Sequence, residues 1–141
     1  MTGVHDAETL AAIHAAGFTV PRPWSASEIA AVLTTKGAFL LAEPGGFLIG
    51  RAIAGEAELL TLAVRPELRR RGMGARLLAG FLAEAARQDA RRLFLEVAAD
   101  NTAAITLYAR HGFAETGRRR GYYAGRGGNP VDALIMARSG G

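Results

Sequence analysis

Cysteine is absent from the 141 residues. That excludes a disulfide framework, a thiol nucleophile and any cysteine-ligated zinc or iron–sulfur centre. Lysine is almost absent, Lys36 being the single one among 17 basic residues. No apolar run approaches the roughly 20 residues that a membrane-spanning helix needs. The opening Met1–His5 is mixed and polar, without the basic-then-apolar order of a signal segment. We therefore expect one cytoplasmic domain over residues 1–141 with no membrane contact. Half of the chain is hydrophobic and 21% is charged, enough to bury a core and too apolar for a disordered chain.

The basic excess is carried by arginine. The net charge is +4 and the isoelectric point is near 10.3, which raises the question of nucleic acid. The arginines fall in short runs, Arg69-Arg70-Arg71, Arg91-Arg92 and Arg118-Arg119-Arg120. Neither of the first two is interleaved with aromatic residues, so a stacking platform for single strands is poorly supported. An acidic ligand such as a polyphosphate, or a partner coated in RNA, suits the charge as well as direct nucleic-acid binding, which we do not expect.

Periodicity orders the chain. Leu10 and Ile13 predict a helix over Asp6–Ala16 stopped by Gly17, and Pro21-Arg22-Pro23 breaks it. Ser25-x-x-Glu28 is a capping box that opens a second helix to about Thr34. Residues 38–42 and 47–53 read as a hairpin around Pro44-Gly45-Gly46, and 58–64 as a third strand ending at Pro66. After Gly72-Met73-Gly74, the residues Leu77, Leu78, Phe81, Leu82 and Ala85 form one apolar helix face. Residues 93–97 predict a strand buried on both faces apart from Glu96. Asn101 caps a helix that ends at His111-Gly112. Phe113 opens another strand, and 131–136 predicts the last, at an edge or as a hairpin partner. The order α-α-β-β-β-α-β-α-β-β implies an α/β (α+β) domain, a mixed sheet with helices on both sides.

The strand 59–64 runs straight into Arg69-Arg70-Arg71-Gly72-Met73-Gly74-Ala75 and then a helix. Glycines at a helix start let main-chain N–H groups approach an anion, and the helix dipole favours negative charge there. The segment predicts a phosphate or pyrophosphate cradle, with a solvated surface turn as the plain alternative. It is neither a Walker loop nor the dinucleotide fingerprint, whose third glycine position holds Leu77. His5 and His14 lack metal-ligand spacing and evident partners, so no metal is expected. His111 reads as a helix C-terminal residue favoured by the dipole.

Taken together, Arg69-x-x-Gly72-x-Gly74 after a strand, Glu96-Val97, and Asn101-x-x-Ala104-x-x-Leu107-Tyr108-x-x-x-Gly112-Phe113 resemble the GNAT superfamily of N-acetyltransferases. With Pro23-Trp24-Ser25 and Tyr122-Tyr123 added, the likeness is to the bacterial ribosomal-protein-alanine acetyltransferase family, over roughly residues 6 to 137. The resemblance implies a sheet of about six strands, mostly antiparallel and splayed at an acetyl-CoA site, with four helices. The family's first strand is short or missing, since only Met1–His5 precedes the first helix. Arg69 stands where many relatives carry Gln, and Pro21-Arg22-Pro23-Trp24 replaces the usual Phe-Pro-Trp entry.

The resemblance also distributes roles. The turn Arg69, Arg70, Arg71, Gly72, Met73, Gly74 and Ala75 would hold the acetyl-CoA pyrophosphate, Leu62, Ala63 and Val64 would pair main chain with the pantetheine arm, and Asn101 would reach the coenzyme. Glu96 would be the general base, its burial raising its pKa toward a working range, and Tyr108 the acid that protonates the departing sulfur. An exposed Glu96 or one paired to Arg92, and a Tyr108 that only packs, are the plain alternatives. Trp24, Arg120, Tyr122 and Tyr123 would wall the groove for a peptide N-terminus, by the family's habit an alanine of a ribosomal protein. Acetylation of a small-molecule amine or lysine, and a non-catalytic acyl-CoA- or nucleic-acid-binding module, are the competing readings.

Overall fold

The structure is a computed structural model that describes residues 6–17 and 22–140. Met1–His5, on which the expectation of a short or missing first strand falls, and Pro21 lie outside the described residues.

Helix α1 (Ala7–Gly17) starts where the Asp6 carboxylate accepts the N–H groups of Glu8 and Thr9 at 2.8 and 3.2 Å. The capping box of α2 (Ala26–Leu33) forms as expected. The Glu28 N–H donates to Ser25 Oγ at 3.1 Å and the Ser25 N–H donates to Glu28 Oε1 at 2.9 Å. Strands β1 (Ala38–Glu43) and β2 (Gly46–Ile53) make the hairpin, with Gly46 already in β2. Then follow β3 (Glu56–Val64), α3 (Met73–Arg87), β4 (Arg92–Ala98), α4 (Thr102–Arg110), β5 (Ala114–Ala124) and β6 (Pro130–Ser139). The order of elements is the one the periodicity implies.

The six strands form one sheet in the order β1-β2-β3-β4-β6-β5, in which β3–β4 is the one parallel pair. Two expectations change here. The last strand is a hairpin partner of β5 but lies inside the sheet, because β6 carries the buried Ala133, Leu134 and Met136 while arginine-rich β5 takes the edge. Strand β4 is not buried on both faces. Leu93, Leu95 and Val97 are buried and alternate with half-buried Phe94 and Glu96, whose face opens toward a cleft.

Each face of the sheet has its own core. Leu48, Leu59, Leu77, Leu78, Phe81 and Leu95 pack under α3 and α4, and Leu10, Ile13, Ile29, Phe47, Ile49 and Ala63 under α1 and α2. Phe81 is fully buried and stacks on Phe39 at 6.1 Å. That stack passes so close to β2 that a Cβ on Gly50 would come within 2.6 Å of the Phe39 ring. Opposite this point the β2–β3 register steps from Gly50↔Leu59 to Ile49↔Thr61, leaving Leu60 as a bulge. A bulge adds twist and bends its strand, and this one lies where β3 leaves β4.

Candidate active site

Strands β3 and β4 pair only from Glu56↔Arg92 to Leu59↔Leu95. Past the bulge they separate, and a cleft of about 1350 Å³ opens between them. It is lined by the distal halves of both strands, the turn before α3, the start of α4, Trp24 and the aromatic end of β5.

One end of the cleft is made of main chain. The Arg65 N–H donates to the Gly45 carbonyl at 2.8 Å, so residues 45 and 65 form a hydrogen-bonded pair. Antiparallel alternation then turns the N–H and C=O of Ala63 toward β2 and those of Leu62 and Val64 into the cleft. An open strand edge of this kind accepts an extended ligand as an added strand. Of the three residues assigned to that pairing, Leu62 and Val64 present their main-chain groups and Ala63 does not.

The same end carries the anion cradle. Gly72, at φ +79, is the N-cap of α3, with no side chain capping the helix. The Arg76 N–H is satisfied by the Gly72 carbonyl at 2.9 Å, which leaves the N–H groups of Met73, Gly74 and Ala75 without intrahelical acceptors. They point out of the positive end of the helix dipole. A Cβ on Gly72 would meet only the Arg76 guanidinium, at 3.5 Å, so the glycine is required by its backbone angle and not by crowding. Arg70 also has a positive φ, +65. The Arg69 guanidinium donates to the Gly17 carbonyl at 3.0 Å and ties the end of α1 to the turn. Arg70 lines the cleft, whereas Arg71 does not, and its carbonyl accepts from Arg76 at 3.1 Å. Asn101 lines the cleft and caps α4, its Oδ1 accepting the Ala104 N–H at 3.2 Å.

The other end is made of side chains. Glu96 is not deeply buried, its side chain being 28% exposed. Its Oε2 accepts the Tyr123 hydroxyl at 3.1 Å and its Oε1 lies 3.4 Å from Arg119 Nε. Arg92, the plain alternative partner, instead pairs with Glu56 at 3.7 Å and lies over the Phe94 ring. The Arg119 guanidinium sits 4.7 Å above the Tyr122 ring, and Tyr122 meets Tyr123 edge-on at 5.2 Å. Burial and the neighbouring Glu96 charge push the Tyr123 phenol well above the usual tyrosine range. Tyr108 is buried with its ring edge-on to Phe113 at 6.1 Å, and burial pushes its phenol up as well. Tyr108 lines the same cleft as Glu96. Trp24, Tyr122 and Tyr123 line the cleft; Arg120 is exposed and does not.

Glu58, His14, Thr61 and Arg119 line the cleft without being marked by the sequence pattern as site residues. Glu58 lines the cleft, and burial raises its carboxyl pKa, with the Glu96 charge adding to the rise and Arg51, 3.6 Å away, opposing it. His14 is fully buried and has partners, contrary to the expectation. Its Nδ1 accepts the Trp24 N–H at 3.1 Å, so its Nε2 carries the proton and donates to Thr61 Oγ1 at 2.8 Å. The imidazole stacks on the Trp24 ring at 5.5 Å, and desolvation lowers its pKa to about 4. Two signals were available: His14 continues the apolar stripe Leu10–Ile13 of α1, and Thr61 interrupts an apolar strand.

Comparison with known proteins agrees with this fold. Residues 8–113 match the acetyltransferase (GNAT) family. The chain is 42% identical over 91 residues to the [ribosomal protein bS18]-alanine N-acetyltransferase of Escherichia coli K12, a match covering 64% of this chain and 61% of that protein. It is 35% identical to the N-alpha-acetyltransferase RimI of Mycobacterium tuberculosis, over 96% of this chain and 88% of that one. The crystal structure of the E. coli ribosomal-protein-S18-alanine N-acetyltransferase superposes with a TM-score of 0.86 at 31% identity, covering 98% of this chain and 90% of that one.

Proposed function

The chain belongs to the acetyltransferase (GNAT) family, and from that premise we propose that it transfers acetyl from acetyl-CoA to the free N-terminal amine of a protein, an alanine of a ribosomal protein being the favoured acceptor. The observation that carries this reading is the junction of a main-chain cradle and a carboxylate–phenol pair in one cleft. The relatives named for acetylating the alanine of bS18 support the acceptor.

The described residues suit acetyl-CoA. The free N–H groups at the start of α3 match a pyrophosphate, the open edges of Leu62 and Val64 match the amides of a pantetheine arm, and Asn101 lines the same cleft. Bound there, acetyl-CoA supplies an acetyl group activated as a thioester.

Glu96 takes the proton that the acceptor amine sheds on becoming a nucleophile, and Tyr108 gives its proton to the sulfur that leaves. A phenol kept protonated by burial suits the second role. Glu58, beside Glu96, adds negative charge where a cationic N-terminus arrives. Trp24, Tyr122 and Tyr123 give the groove two aromatic walls, which favours a peptide over a small amine.

Mass spectrometry of a mixed incubation tests the reading. Acetyl-CoA is supplied with a peptide bearing a free N-terminal alanine, an N-terminally blocked peptide carrying lysine, and a polyamine. The expected result is one acetyl group on the free alanine alone. Acetylation of the lysine or the polyamine would move the protein to another branch of the family.

A further inference from the structure

Strand β5 does not alternate where it faces the cleft. Arg119 pairs with Ala133 and Tyr123 with Val131, so Asp132 alone stands opposite Arg120, Gly121 and Tyr122. A regular strand sends neighbouring side chains to opposite faces, yet Arg119, Tyr122 and Tyr123 all line the cleft. The bulge re-aims them, as bulges beside binding sites do.

The Asp132 carboxylate fills the gap in this ladder. Its Oδ1 accepts the N–H of Gly121, which sits at φ +59, at 2.8 Å, and its Oδ2 accepts from Arg118 at 2.9 Å. These donors hold its pKa below the usual carboxylate range. The Asp132 carbonyl accepts the N–H of Ala99 at 2.8 Å. Ala99 follows the end of β4 and stands two residues before Asn101, the cap of α4. One residue thus holds the tyrosine wall with its side chain and the end of the Glu96 strand with its main chain.

We propose that Asp132 is the positioning residue of the acceptor wall: its carboxylate sets the β5 bulge that delivers the Tyr123 hydroxyl to Glu96 and stands Tyr122 beside Arg119. Its kinetic consequences rest on the acetyl-transfer reading, whereas its geometry does not. Without the carboxylate the Gly121 N–H loses its acceptor and Arg118 keeps only Glu115, 3.7 Å away. Gly121 is then free to leave its left-handed angle, and the two tyrosines move with it.

The test compares Asp132→Ala with Asp132→Asn, which drops the charge but keeps an oxygen for the Gly121 N–H. Tyr108 and Tyr123 both ionise late, so Tyr123→Phe identifies which step of a spectrophotometric titration belongs to the Tyr123 phenol. In Asp132→Ala that phenol ionises at lower pH, and in Asp132→Asn it stays close to wild type. With the free-alanine peptide, kcat/KM falls roughly tenfold in Asp132→Ala, mostly through KM, the scale of one lost charged hydrogen bond. The acetyl-CoA Kd stays within twofold, and in a Tyr123→Phe background the loss from Asp132→Ala is smaller, because the hydroxyl contact with Glu96 is already gone and only the placing of the rings remains to be lost. An unchanged titration, or an equal loss in that background, overturns the proposal. If wild type transfers nothing to the peptide, the transfer reading fails while the titration still decides on Asp132. Asp132→Ser, too short to reach both donors, carries the same expectations if Asp132→Ala does not fold.

Discussion

The two ends of the cleft are built from different material. Toward α3 the contacts on offer are main-chain groups, the open edge of Leu62 and Val64 and the free N–H groups of Met73, Gly74 and Ala75. Toward β5 they are side chains, with Glu96 held between Tyr123 and Arg119, while Trp24 is held on the β3 side by His14. A main-chain site depends on backbone angle and strand ends and tolerates many side chains. A side-chain site depends on contacts between residues far apart in sequence. The two ends should therefore fail separately when mutated.

The largest expected effect lies at the side-chain end. Glu96→Gln and Tyr108→Phe each lower kcat by about 10²–10⁴, the usual worth of a positioned acid or base. Acetyl-CoA affinity, measured by calorimetry, stays within twofold. A coenzyme Kd that worsened in step with kcat would erase the distinction between the ends.

Next comes His14, which the wall needs neutral. Its folded pKa is near 4 against 6.5 for an ordinary histidine, so between those values the unfolded chain binds more protons than the folded one. Stability from this group is complete above pH 6.5 and is lost as pH falls toward 4, by about 3 kcal/mol in all. Urea unfolding across that window measures the slope. His14→Gln should flatten it, and an unchanged slope would place the pH sensitivity elsewhere.

The smallest effect tests the main-chain end. Gly72→Ala puts a Cβ on a residue at φ +79, which costs about 1–2 kcal/mol. Acetyl-CoA should bind roughly tenfold more weakly, a factor that corresponds to such an energy, while kcat at saturating coenzyme holds.

The same division explains what could be read from the sequence. The order of elements, the capping box at Ser25 and the glycine turn into α3 are local patterns, and each stands where the periodicity and the caps put it. The wall is not local. Its geometry depends on two bulges, Leu60 in β3 and the Arg120–Tyr122 stretch in β5, and no sequence periodicity marks an inserted residue. Hence Glu96 stands on the expected strand but is shallower than its apolar neighbours imply, and Arg119, adjacent to the expected Arg120, is the arginine that reaches it. His14 shows no partner in the sequence because Trp24 and Thr61 lie 10 and 47 residues away.

The claim that the cradle is made of main chain has a direct test in amide hydrogen exchange, resolved residue by residue with and without acetyl-CoA. The account predicts that the N–H groups of Leu62, Val64, Met73, Gly74 and Ala75 slow on addition, while those of Arg119 to Tyr123 do not change until a peptide acceptor is present. Slowing confined to Arg119 to Tyr123, with Leu62 and Val64 exchanging as before, would contradict it.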